Sequence, residues 1–140
     1  MLAQKLILVV EHEPMTARGL TSAIEKFEGV VVGPVPTVTE ALALLETDRI
    51  AAAILEAQLP DRDVTPVALL LARRGVPFVI HSAAAIPPGL QAVLPDLHLV
   101  PKPHQPELVI TQLAQEIRRR TEYELLFPPG RNKRSKRWLS

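Results

Sequence analysis

The stretch AAAILEAQLPD, residues 51–61, decides how this chain folds. A short apolar run closes on a single acid, Glu56, and turn-forming residues follow at once in Pro60 and Asp61. The run is too short for a buried helix and reads as a strand hidden on both faces. In an open α/β sheet, a polar side chain at the carboxyl end of such a strand belongs to a site. The rest of the chain then has to supply neighbouring strands and the helices that cover them.

It does so on both sides of that stretch. Upstream, LILVV (residues 6–10) reads as a first strand, ended by Glu11, His12 and Glu13. Pro14 then opens a helix with Leu20, Ile24 and Phe27 at helical spacing, and Gly29 is placed to stop it. VVVGPV (residues 30–35) reads as a second strand, and Thr37-x-x-Glu40 is a capping box for the helix holding Ala41, Leu42 and Leu45. Downstream, VTPVALLLARRG (residues 64–75) is a helix stopped by Gly75, and PFVIHS (residues 77–82) is a fourth strand. AAAIPPGLQAVLP yields at most a short helix, LHLV (residues 97–100) a fifth strand, and QPELVITQLAQEIRRR an amphipathic helix with Leu108, Ile110 or Val109, Leu113 and Ile117 inward.

Five apolar strands alternating with helices imply a doubly wound parallel α/β sheet, covered on both faces through right-handed crossovers. Eight closed β/α units would need roughly 250 residues, which disfavours a barrel. The 140 residues fit one domain, taken as residues 1–122, with 123–140 as a flexible basic extension. The charge divides along the chain. Residues 1–117 carry 8 Lys+Arg against 13 Asp+Glu, whereas residues 118–140 carry 8 against 2. With no cysteine, disulfides, zinc thiolates and thiol catalysis are excluded. No apolar run approaches the length of a membrane span, so a cytoplasmic protein with no membrane partner is expected.

The loops after the strands gather polar residues on one edge: Glu11, His12 and Glu13, then Glu56 with Gln58, then His81 and Ser82, then Lys102 between two prolines. The motifs ILVVEHEP, AAAILEAQLPD, PFVIHSA and LVPKP occur in an order and spacing that resembles the receiver domain of two-component response regulators. The resemblance spans about residues 4–120. It implies the flavodoxin-like strand order 2-1-3-4-5, for which a receiver is itself a standard example.

The resemblance also implies roles. Receivers hold Mg²⁺ on an acidic pair after the first strand, accept a phosphoryl group on an aspartate ending the third, sense it with a Ser or Thr ending the fourth, and pair it with a lysine after the fifth. These positions correspond to Glu11 and His12, Glu56, Ser82 and Lys102. Gln58 falls where a backbone carbonyl reaches the metal, so the metal set is Glu11, Glu56 and Gln58. Leu99 stands where an aromatic switch residue is common, with His98 beside it, and Lys102–Pro103 matches a bond that is often cis.

Two positions depart from the pattern. An imidazole at His12 suits Mg²⁺ poorly, because that ion favours hard oxygen ligands in strict octahedral geometry. A cofactor-free site, with Mg²⁺ weak or absent, is expected. At Glu56 the extra methylene moves the attacking oxygen by more than about 1 Å, a displacement that costs ~100-fold where positioning is most of the catalysis. The longer side chain instead carries its charge toward the place of a phosphoryl group, within reach of Ser82 and Lys102; the alternative is a remnant carboxylate paired with Lys102.

The expected function is therefore a stand-alone, non-enzymatic signalling module acting through protein contacts, with phosphorylation lost or altered. Its partners would be a histidine kinase, a phosphotransfer protein or a downstream effector. Receivers commonly pair through the fourth helix, fifth strand and fifth helix, so the resemblance marks the face near Leu108, Gln112 and Ile117 as a candidate homodimer surface, unless those apolar residues belong to the core. Two alternatives belong to other classes: a metal-dependent phosphohydrolase or nuclease using Glu11, Glu13 and Glu56, and a nucleic-acid-associated regulator using RNKRSKRW (residues 131–138) with Trp138 stacked on a base. Specific DNA binding is not expected, since no DNA-reading module fits in about 20 residues.

Overall fold

The structure is a computed structural model and describes residues 1–128; the basic run at 131–138 lies outside the described residues. Elements alternate without exception: β1 (Leu6–Val10), α1 (Pro14–Lys26), β2 (Val30–Val35), α2 (Val38–Thr47), β3 (Ala52–Leu55), α3 (Thr65–Arg73), β4 (Phe78–Ser82), α4 (Pro88–Val93), β5 (Leu99–Pro101) and α5 (Pro106–Leu126). The five strands form one parallel sheet in the order β2-β1-β3-β4-β5. Fold class and strand order are those read from the sequence.

Side-chain alternation along the strands builds two cores. Leu8, Val10, Ala53, Leu55, Phe78 and Ile80 face α2, α3 and α4, where Val38, Leu45, Val67, Leu71 and Leu90 meet them. Ile7, Val9, Ala52, Ile54, Val79 and Val100 face α1 and α5, against Leu20, Ile24, Val109, Ile110 and Leu113. Small alanines at 52 and 53 in the central strand let helices approach on both sides.

Four details differ from the sequence reading. β2, apolar throughout, is not buried: it is the sheet edge, with both ends and the Gly33–Pro34 pair partly or fully exposed. Its pairing with β1 is irregular between Leu8 and Val10, which suits a proline that cannot donate to a ladder. The stop of α1 is also shifted. Glu28, not Gly29, takes the left-handed conformation (φ 67°), and its N–H and that of Gly29 close a Schellman pair on Glu25 and Ile24 carbonyls. Gly29 is needed for space, because a Cβ there would lie 2.7 Å from Ile24 and 2.8 Å from Leu2.

Gly75 does stop α3 as read, at φ 71°, with its N–H on Ala72 and that of Val76 on Leu71. The third difference is in α5, where Val109 and Ile110 both turn inward while Leu108 is 42% exposed. The fourth is its length: α5 continues to Leu126, so the boundary taken at residue 122 falls within a continuous helix. No helix among the described residues is long and apolar enough to cross a membrane.

Candidate functional site

Parallel strands with helices on both faces leave the carboxyl strand ends open, and backbone bonds lock those ends together. The Glu56 N–H donates to Val10 O, that of Glu11 to Val35 O, and that of Lys102 to Ser82 O. Loop residues after β1, β3, β4 and β5 therefore converge on one spot.

At its centre is the Lys102 ammonium. Its Nζ lies 2.7 Å from Glu11 Oε1, 2.7 Å from Glu56 Oε1 and 3.1 Å from Glu13 Oε1. The second oxygen of Glu56 accepts hydrogen bonds from the Ser82 hydroxyl and from the Gln58 N–H at 3.3 Å. Ser82 in turn accepts from the Ala84 N–H at 3.1 Å. Glu11 Oε2 accepts the Glu13 N–H at 3.0 Å. Glu11, Glu56 and Ser82 are buried, whereas Glu13 is half exposed.

Burial raises the Glu56 carboxyl, but the hydrogen bonds from Lys102, Ser82 and the Gln58 backbone outweigh it and hold the group below its ordinary value. Burial likewise lowers Lys102, and the three carboxylates more than reverse that, raising it above its usual range. Both groups are therefore ionised at neutral pH. Taken together, Glu11, Glu13, Glu56 and Lys102 carry a net charge of −2.

One oxygen from each of Glu11, Glu13 and Glu56 lies within 4.8 Å of the others, a hard-oxygen set of the kind a divalent cation takes. As they stand these carboxylates do not fit a metal, because all three already turn to Lys102 and a second cation would meet its ammonium. His12 adds no hard ligand: it is an exposed imidazole with Nδ1 3.8 Å from Glu11 Oε2. The Gln58 side chain points to solvent. Leu99 is partly buried against the α2–α3–α4 core, and the Lys102–Pro103 bond is cis.

Two side chains, Asp61 and Asp63, act in ways the sequence did not single out. Asp61 crosses from the loop after β3 to the start of α2, accepting the N–H groups of Val38 and Thr39 at 3.0 Å each and the Thr39 hydroxyl at 3.1 Å. Those bonds keep its carboxyl below the ordinary value. Thr37 caps the same turn as its motif predicts, at 3.1 Å from the Glu40 N–H. Asp63 accepts the Thr65 N–H at the head of α3. No local signal pairs Asp61 with a helix start 23 residues earlier.

His81, one of the polar residues the sequence gathers on this edge, ends β4 beside Ser82. It is 3% exposed, and neither ring nitrogen has a hydrogen-bond partner among the described residues. Burial first, and the Lys102 charge second, push its pKa down to about 4, so the ring is neutral. The alternation of β4 carried the signal, since His81 shares the inward face of Val79 toward α1 and α5.

No family model and no curated protein matches the chain. Solved structures do. SdrG from Sphingomonas melonis Fr1 is 32% identical, covers 84% of this chain over 98% of its own, and superposes with a TM-score of 0.70. A CheY-like response regulator receiver domain protein from Methanospirillum hungatei JF-1 is 18% identical over 85% and 98%, with a TM-score of 0.74. The non-phosphorylated HemR receiver domain from Leptospira biflexa is 22% identical over 81% and 94%, with a TM-score of 0.69. Strand order, the four loops that meet around Lys102 and these likenesses agree: the chain belongs to the response regulator receiver domains.

Proposed function

We propose that this receiver is a signalling module of a two-component pathway that works through protein contacts without an ordinary phosphorylation cycle. One observation carries the reading: a single ionised carboxylate, Glu56, accepts from Ser82 through one oxygen and from Lys102 through the other. In a phosphorylatable receiver those two groups would be drawn to a phosphoryl oxygen. Here the protein's own side chain satisfies them, so the surrounding loops are held in one arrangement with no chemistry needed.

No catalytic residue and no cofactor enters this reading. Mg²⁺ binding is weak, because the ion must displace Lys102 and gains no carboxylate from His12. With Leu99 in place of an aromatic, the readout is blunted and lies in the fixed surface offered to a partner. The partners are a sensor histidine kinase, a phosphotransfer protein or an effector downstream, with a homodimer through α4, β5 and α5 as a further arrangement that exposed Leu108 supports.

The test is exposure to acetyl phosphate and Mg²⁺, read by intact mass. The parent protein should gain no phosphoryl group, and a Glu56→Asp/His12→Asp variant should gain one in a Mg²⁺-dependent way. Stoichiometric labelling of the parent at Glu56 would overturn the proposal. Failure of the double variant, with its fold intact by circular dichroism, would show that the pocket is not the one described.

A further inference from the structure

We infer that the cleft between α1 and the loop joining β5 to α5 binds a small organic cation, a primary amine carried on an apolar body. The site shares Glu13 and Lys102 with the cluster described above but does not depend on how Glu56 works.

A cavity of about 410 Å³ opens there, a size typical of small-molecule sites. Its walls are mostly apolar, with Met15 and Leu20 on the α1 side and Pro103 and Pro106 on the other. The two sides close on each other at Gly19, where a Cβ would stand 3.1 Å from Pro106 Cγ, so the cleft is bounded there. His81 lines it as well. That residue is 3% exposed, and neither of its ring nitrogens has a hydrogen-bond partner among the described residues. A buried polar group without a partner is costly, and native proteins seldom keep one without a reason. A half-turn of the ring about Cβ–Cγ exchanges nitrogens with carbons and barely alters its outline, so a nitrogen can meet a ligand without repacking the core. A neutral imidazole then offers one acceptor to an N–H.

Charge selects the sign of the ligand. Glu13 borders the same cleft; its Oε1 faces Lys102 at 3.1 Å, leaving Oε2 without a hydrogen bond among the described residues. The Lys102 ammonium is committed to Glu11, Glu13 and Glu56, and the four groups together carry −2. An anion would meet that excess of negative charge. A neutral apolar molecule would fill the walls and leave Glu13 and His81 unanswered. An ammonium answers both, pairing with Glu13 and donating to His81, while its apolar body covers Met15, Leu20 and the two prolines.

The test titrates the full nitrogen-15-labelled chain at neutral pH with phenethylamine, phenethyl alcohol and phenylacetate, which share a ring and differ in charge. Phenethylamine should shift the amides of Met15, Thr16, His81 and His104 with a dissociation constant of about 1 mM. The alcohol and the acid should bind at least about tenfold more weakly. His81→Leu should weaken the amine about tenfold. Ala83→Leu, at an exposed position lining the cleft, should weaken it by at least as much while its melting curve matches the parent.

The inference is overturned if phenethylamine leaves those amides in place, if the three probes bind alike, or if the two leucine variants bind the amine as tightly as the parent. Shifts confined to Glu11 and Glu56 would overturn it equally, by placing the amine on the carboxylates alone.

Discussion

Lys102 is the only cation within reach of two buried carboxylates, Glu11 and Glu56, among the described residues, and its removal leaves both without a charge partner. A buried pair broken from one side costs about 3 kcal/mol or more. Lys102→Met should therefore lower unfolding stability by roughly that amount in urea. A loss within error would mean the cluster is well hydrated. His81 gives a second residue-scale prediction. Its ring stays neutral in the native state down to a pKa of about 4, while in the unfolded chain it protonates near 6.5. Between those values only the unfolded state takes up the proton, so stability falls as pH drops from 6.5 to 4 and that contribution then levels off. The full span is worth up to about 3 kcal/mol. Glu56 adds a loss lower down, since its stabilisation is present above 4.5 and disappears as pH falls through its depressed native value. His81→Leu should flatten the upper segment of the pH curve and leave the lower one. An unchanged upper segment would assign it to other groups.

At the scale of elements, spacing and length determine most of what is seen. The apolar run at 52–55 could only be a strand, and Thr37-x-x-Glu40 could only open a helix, so both were legible locally. What the sequence hid depends on contacts between distant segments. VVVGPV looks as buried as the central strand because edge position is a property of sheet order, not of composition. Gly29 looks like a helix stop, yet its role is set by Leu2 and Ile24 pressing on it. Gly29→Ala should accordingly destabilise by about 1–3 kcal/mol through overpacking, measured by thermal melting. A neutral or stabilising result would show that Leu2 gives way. Asp61 holds the head of α2 from another loop, so Asp61→Ala should speed amide exchange at Val38 and Thr39 while amides of α3 keep their protection. Unaltered exchange at those two would mean Thr37 alone caps the helix.

Across the whole molecule, one edge of the sheet gathers four loops around a single ammonium, and the sequence motifs alone are enough to locate that edge. They could not show that Lys102 contacts three acids at once, because Glu13 reaches it only through the turn that opens α1. Nor could they show that α5 outruns the sheet. The central claim is that Glu56 stands ionised between Lys102 and Ser82, in the place of a transferred phosphate. The most direct measurement is a carbon-13 NMR titration of the Glu56 side-chain carboxyl in the parent and in Lys102→Met. The account predicts a parent midpoint below 4.5 that moves up once the ammonium is removed. A parent midpoint at or above 4.5, or one that Lys102→Met leaves in place, would contradict it.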